Sequence, residues 1–137
     1  MAGAYQTTGE TAKRGTGIWP DTGGGWVNGR GDDSMIMLNG HARMVDFFTS
    51  FEWWKTEPRD DLVDNGAFCL AEPGKLYAVY LPYGGKVTVR LNPGRYQASW
   101  FNARTGQTSP APIADGLAWT SPPAPDSGDW ALLLRRM

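Results

Sequence analysis

One cysteine and one histidine are all that this chain of 137 residues offers to thiol, imidazole or soft-metal chemistry. A single Cys69 excludes an intramolecular disulfide and any site built from several thiolates, and it reads as a small hydrophobe buried in a core. A single His41 leaves no histidine cluster for a metal and no choice of partner for a Ser-His-Asp arrangement. Charge of one sign is also missing. With 13 Lys+Arg against 14 Asp+Glu the net charge is −1, and neither sign forms a block, so no nucleic-acid or membrane partner is expected. Long apolar runs are absent as well: no stretch approaches the roughly 20 residues of a membrane span. The opening residues MAGAYQTTGE lack the charged and then apolar run of a signal peptide.

What is abundant is glycine, proline and tryptophan, at 18, 10 and 7 residues. Glycine and proline in such numbers imply many turns. Tryptophan supplies large amphipathic rings, which fill cores and also stack on sugar faces.

Residues 1–33 are glycine-dense and show neither alternating nor helical apolar spacing, so they are expected to form an extended loop. A loop of that length inside a domain is uncommon and implies function, disorder or packing on something else. From residue 34 the pattern changes. Met37, His41, Met44, Phe48 and Phe51 recur at spacings of four and three, with Leu38, Ala42 and Val45 widening the stripe, which predicts an amphipathic helix over 34–51. Asp32, Asp33 or Ser34 suits its N-terminal cap. Trp53, Trp54 and Pro58 mark its exit.

From residue 67 the period becomes two. Strands are expected at 67–71, 76–81, 86–91, 95–102, 117–120 and 130–135, separated by turns such as EPGK, PYGG, NPG and ARTGQ whose Gly and Pro suit tight reversals. The fold class implied is mainly β, a small antiparallel β-sandwich preceded by one helix and a Gly-rich loop. The boundary falls between 1–66 and 67–137.

Several strings then match a family in order: FFTSFEWWKTEP, LVDNGAFCLAEPGKLYAVYLPYGGKVTVRL, YQASWFNARTGQ and GDWALLLRR. They resemble the C-terminal part of apiosidase-like glycoside hydrolases, a barrel followed by the β-sandwich called a "putative collagen-binding" domain. The most specific pieces are F-C-L-A-x-P-G-K-x-Y, W-F-N-x-R-T-G and D-W-x-L-L-L. The resemblance implies that the helix at 34–51 is the last helix of a (β/α)8 barrel and that 1–33 is the loop leaving its final strand. Such a barrel takes roughly 250 residues, far more than precede residue 67. The chain is therefore expected to be the end of a longer enzyme or a stand-alone descendant of one. Members of the resembled family are mostly secreted or periplasmic.

Glycosidases use two carboxylates about 5–10 Å apart. In the resembled family these lie on barrel strands outside this chain, so no catalytic residue is expected. Glu10, Asp21, Asp32 and Asp33 are the acids of the presumed top-face loop and would at most touch substrate. The TGGGW tract lacks the lysine and spacing of a phosphate-binding loop. Neither a cofactor nor a metal is expected. Candidate ligand-binding residues are Trp19, Trp26, Trp53 and Tyr83, as exposed stacking platforms; for Trp19 and Trp26, packing against a barrel is the alternative. One of Trp53 and Trp54 is expected to seal the helix on the sandwich. Trp100, Trp119 and Trp130 are assigned to the core. Tyr77, Tyr80 and Tyr83 are left between a wet face and cross-strand packing. Two functions follow: an accessory domain that braces a glycosidase barrel and binds polysaccharide, or an independent module that grips a glycan or a collagen-like chain. Self-association through the helix is a further expected contact.

Overall fold

The last strand explains the architecture. Its sequence WALLLRR places five consecutive apolar residues where an exposed strand would alternate, and such a run suits a strand covered on both faces. In the computed structural model, which describes residues 36–137 with side chains from residue 39, Trp130–Arg136 is buried from Trp130 through Leu134. It lies in the middle of a six-stranded antiparallel sheet.

Helix α1 spans Ile36–Thr49. Strands β1 to β8 follow at Glu57–Pro58, Phe68–Glu72, Leu76–Leu81, Thr88–Arg90, Arg95–Asn102, Thr108–Asp115, Ala118–Thr120 and Trp130–Arg136. The large sheet runs β1-β2-β3-β8-β5-β6, and β4 pairs with β7 in a second sheet. Mainly antiparallel β with one preceding helix is the architecture that the alternation and turns predict. The Gly-rich loop at 1–33 and the helix-capping residues Asp32, Asp33 and Ser34 lie outside the described residues.

Between the two sheets sits the inner core. Tyr77, Val79, Leu132, Leu134, Tyr96, Val87 and Val89 are at most 1% exposed. Cys69, Ala98, Trp100 and Trp130 belong to the same layer. The thiol of Cys69 is pushed up to about 12 by this burial, with Asp60 and Asp61 adding to the effect. It is the structural cysteine that its solitude implies. The buried Ser121 is satisfied: its hydroxyl accepts the Val87 N–H at 3.1 Å and donates to the Pro122 carbonyl at 2.8 Å.

The opposite face of the large sheet carries a second, smaller apolar layer. Phe51, Ala78 and Leu133 form its buried centre, with Phe47, Phe48, Leu70 and Leu76 packed around them. Phe47 also meets Phe101, ring centroids 5.0 Å apart. Arg135 ties the layer down by donating to the carbonyl and the hydroxyl of Ser50.

Two compact units divide between Met44 and Val45, so the C-terminal turn of α1 and the residues after it belong with the strands. The expected stripe is only partly buried. Phe48 and Phe51 pack, but Met44 and Val45 are 52% and 54% exposed, and His41 is half-buried rather than a core residue. The apolar patch offered by the sheet is short, and residues 47–51 fill it.

Two strands carry proline and lack clear alternation. β1 contains Pro58 and β6 contains Pro110 and Pro112, and each lies at an edge of the large sheet. Proline there removes a donor that would point to solvent. Between Tyr96 and Ala98 of β5 the register slips, so that Ala114 and Ala111 of β6 face them with Pro112 and Ile113 in the bulge.

Candidate functional site

Two of the three most specific sequence strings, W-F-N-x-R-T-G and D-W-x-L-L-L, converge at one end of the sandwich. The Asn102 side-chain oxygen accepts the backbone N–H groups of Arg104 and Thr105 at 2.9 and 3.2 Å, which closes the β5–β6 turn. The turn ends on Gly106, whose φ of +78° suits glycine. This geometry carries Arg104 across to the loop before β8. Its Nη2 donates to both oxygens of Asp126 at 2.8 and 2.9 Å, and its Nε lies 3.4 Å from Asp129. The guanidinium also sits over the Trp130 ring, 5.6 Å from its centre.

Asp126 is the hub of this clamp. It accepts the Gly128 N–H at 2.7 Å and the Trp130 indole N–H at 2.9 Å as well. Arg104 first, then Trp130 and Gly128, hold its carboxyl at about 2. A glycosidase general acid needs the opposite shift, so Asp126 does not suit that role, and its hydrogen bonds anchor the turn instead. Two glycines permit the closure. A methyl group on Gly128 would collide with the Arg104 guanidinium, and one on Gly84, at φ +60°, with the Asp126 carbonyl.

Beside the clamp opens a groove of about 570 Å³, lined by Asn102, Gln107, Thr108, Ser109, Pro125 and Trp130. On the outer face of the large sheet lies an aromatic row. Phe68 and Tyr80 are cross-strand partners, and Ala131 separates Tyr80 from Phe101. Phe68 and Tyr80 are 56% and 40% exposed. Tyr83 follows in the adjacent loop at 86%. The Tyr80 hydroxyl lies 3.5 Å from Asp129. Burial foremost, with that carboxylate adding, raises its pKa.

The third string, F-C-L-A-x-P-G-K-x-Y, builds the far end of the sandwich. The buried Tyr77 hydroxyl accepts the N–H groups of Gly74 and Asn92 at 3.0 and 2.9 Å, while Tyr96 donates to the Asn92 carbonyl at 2.8 Å. The two rings meet edge to face at 5.5 Å. Each of the three most specific strings thus secures a turn or a strand.

Of the residues singled out for binding, Tyr83 and Trp53 are exposed but on separate segments. Trp53 and Trp54 are 39% and 64% exposed and touch each other edge to face, so neither seals the helix; Phe47, Phe48 and Phe51 do that instead. Trp100 and Trp130 are core residues, and Trp119 is half-buried against the inner core. Tyr77 packs, whereas Tyr80 and Tyr83 face solvent. Trp19, Trp26, Glu10, Asp21 and Asp32 lie outside the described residues. Sequence reasoning missed the groove, because Gln107, Thr108 and Ser109 belong to the turn and the edge strand that proline disguised. The run of amides and hydroxyls in NARTGQTS was the available signal. Among the described residues no group of three His, Cys, Asp or Glu could hold a metal, and no helix is long and apolar enough to cross a membrane.

The family described as "putative collagen-binding domain of a collagenase" matches residues 59–135. Among solved structures, a chain titled "Glycoside hydrolase" superposes with a TM-score of 0.66 at 15% identity, over 92% of this chain and 30% of that one. A glycoside hydrolase family 5 protein from Bacteroides vulgatus ATCC 8482 gives 0.65 at 14% identity, over 75% of this chain and 25% of its own. The fold is one that occurs within glycoside hydrolases, and the chain spans less than a third of the length of either. No curated protein matches the chain.

Proposed function

Since the chain belongs to the family of the "putative collagen-binding domain of a collagenase", we propose that it is a non-catalytic accessory domain of a glycoside hydrolase of the apiosidase-like type, whose sandwich braces a catalytic barrel. The observation that carries this reading is the outer apolar layer. Phe47, Phe48 and Phe51 lock the end of α1 onto Leu133 and Ala78, so the chain that enters the sandwich is held rigidly to its sheet. A brace needs such a joint, because contacts between domains are otherwise mobile by default. Exposed Val45, Trp53 and Trp54 beside that joint supply apolar surface for a neighbouring domain.

The chain alone is expected to show no turnover on aryl glycosides or plant-type oligosaccharides. A steady hydrolysis rate abolished by Glu10→Gln would sink the proposal. The second reading, a binding module for polysaccharide or a collagen-like chain, draws on the exposure of Tyr83 and Trp53. Retention on insoluble polysaccharide or on collagen that disappears in Tyr83→Ala or Trp53→Ala favours the module; retention on neither surface favours the brace.

A further inference from the structure

We propose that the groove at the end of the β5–β6 hairpin binds a neutral saccharide unit, a role that goes beyond bracing and does not depend on it. Its lining brings together the amide residues Asn102 and Gln107, the Ser109 hydroxyl on the Trp100 side of β6, the backbone of Thr108, whose side chain turns to the other face, and the apolar Pro125 and Trp130. Asn102 spends its side-chain oxygen on the turn, which fixes the amide and leaves Nδ2 as a donor. The Gln107 amide and the Thr108 and Ser109 hydroxyls make no hydrogen bond through their side chains among the described residues. Asn102 and Ser109 are half-buried at the base of the groove, and Gln107 is exposed at its rim.

Donors and acceptors interleaved in this way match a ligand whose every hydroxyl both gives and accepts a hydrogen bond. Pro125 offers apolar contact for the C–H groups of a pyranose ring, above the buried Trp130 that forms the floor. The volume, about 570 Å³, lies within the usual range of small-molecule sites.

Charge selects against the alternatives. The ionic groups beside the groove are Arg104, Asp126 and Asp129, and they are bound to one another. One guanidinium against two carboxylates leaves the clamp with a net negative charge, which disfavours an anionic sugar, while a neutral one needs nothing from these groups. The same clamp keeps the turn rigid before ligand arrives, which lowers the ordering cost of a weak interaction. The aromatic row of Phe68, Tyr80 and Tyr83 is the competing surface, but it lacks this set of uncommitted polar groups.

The test is a nitrogen-15 titration of the chain with neutral gluco-, xylo-, manno- and galacto-oligosaccharides, with a uronic-acid oligosaccharide and a Gly-Pro-rich peptide as controls. Expected are shifts of the Asn102 and Gln107 side-chain amides and of the Thr108 and Ser109 backbone with at least one neutral series. The double variant Gln107→Ala/Ser109→Ala, which removes two side chains that make no internal hydrogen bond, is expected to weaken that binding about tenfold or more, with an unchanged backbone spectrum elsewhere as the check on folding. The proposal is overturned if no neutral series moves these signals, if only the uronic-acid sugar or the peptide does, or if shifts fall on Phe68, Tyr80 and Tyr83. Turnover by the chain would remove the accessory reading and leave this titration interpretable.

Discussion

The two faces of β8 carry apolar residues from one short run, yet they are covered in different ways. Leu132 and Leu134, both wholly buried, face the β4/β7 sheet across the inner core. Ala131 and Leu133, 6% and 5% exposed, face outward, and Leu133 lies in the layer that the aromatic residues 47–51 cover. The inner cover is itself hydrogen-bonded into a ladder and stitched by Val87, Ser121 and the Thr88–Thr120 hydroxyl pair. The outer cover rests on ring contacts and on Arg135 holding Ser50. Equal hydrophobicity therefore does not mean equal anchoring: both covers are closed in the parent chain, and the outer one, which has no ladder of its own, is the one that a single substitution should loosen first.

The largest expected effect contrasts neighbours on the same strand. Leu132→Ala should cost about 4 kcal/mol and Leu133→Ala about 2, because a cavity on the outer side can be filled by movement of Phe47 and Phe51. Urea unfolding measures both, and equal losses would erase the distinction. Next, Phe51→Ala is expected to cost about 2 kcal/mol and to loosen the outer layer alone. Limited trypsin digestion should then cleave after Lys55 well before the strands are cut; simultaneous cutting would show that the layers open together.

The smallest effect concerns Cys69, on the inner side. Burial holds its thiol protonated up to about 12, against an ordinary value of 9.0. The folded state keeps a proton that the unfolded thiol has released, so this contribution is fully present below about pH 9 and declines as pH rises toward 12. Urea midpoints of the parent chain should fall across that window more steeply than those of Cys69→Ala. Parallel curves would mean that the thiol reaches water through local opening.

Most of the inner layer was legible in the sequence. β3 and β5 occupy 76–81 and 95–102 as their alternation and bordering turns imply. β4 and β7 are shorter than the runs read for them, since their ends leave the ladder for loops. The outer layer was harder to foresee. A helical stripe says which residues could be buried, not how long a patch the sheet presents, and so Met44 and Val45 stand in solvent while Phe47 packs. β6 was hidden because Pro110 and Pro112 contradict a central strand and only its place at an edge, with a bulge, makes them compatible. The groove vanished with it, as half of its lining lies on β6 and the preceding turn.

The central position of β8 has a kinetic side. It joins β3 to β5 by pairing Leu76 with Arg135 and Tyr96 with Arg136, contacts that span long stretches of chain. Hairpins such as β2–β3 and β5–β6 can close locally as they are made, but the sheet stays in two halves until β8 is inserted between them. Closure of those long loops is slow, and until it happens the facing edges of β3 and β5 are open to other chains. Insertion of β8 is therefore the step on which both completion of the sheet and protection of those edges depend, which makes WALLL its keystone.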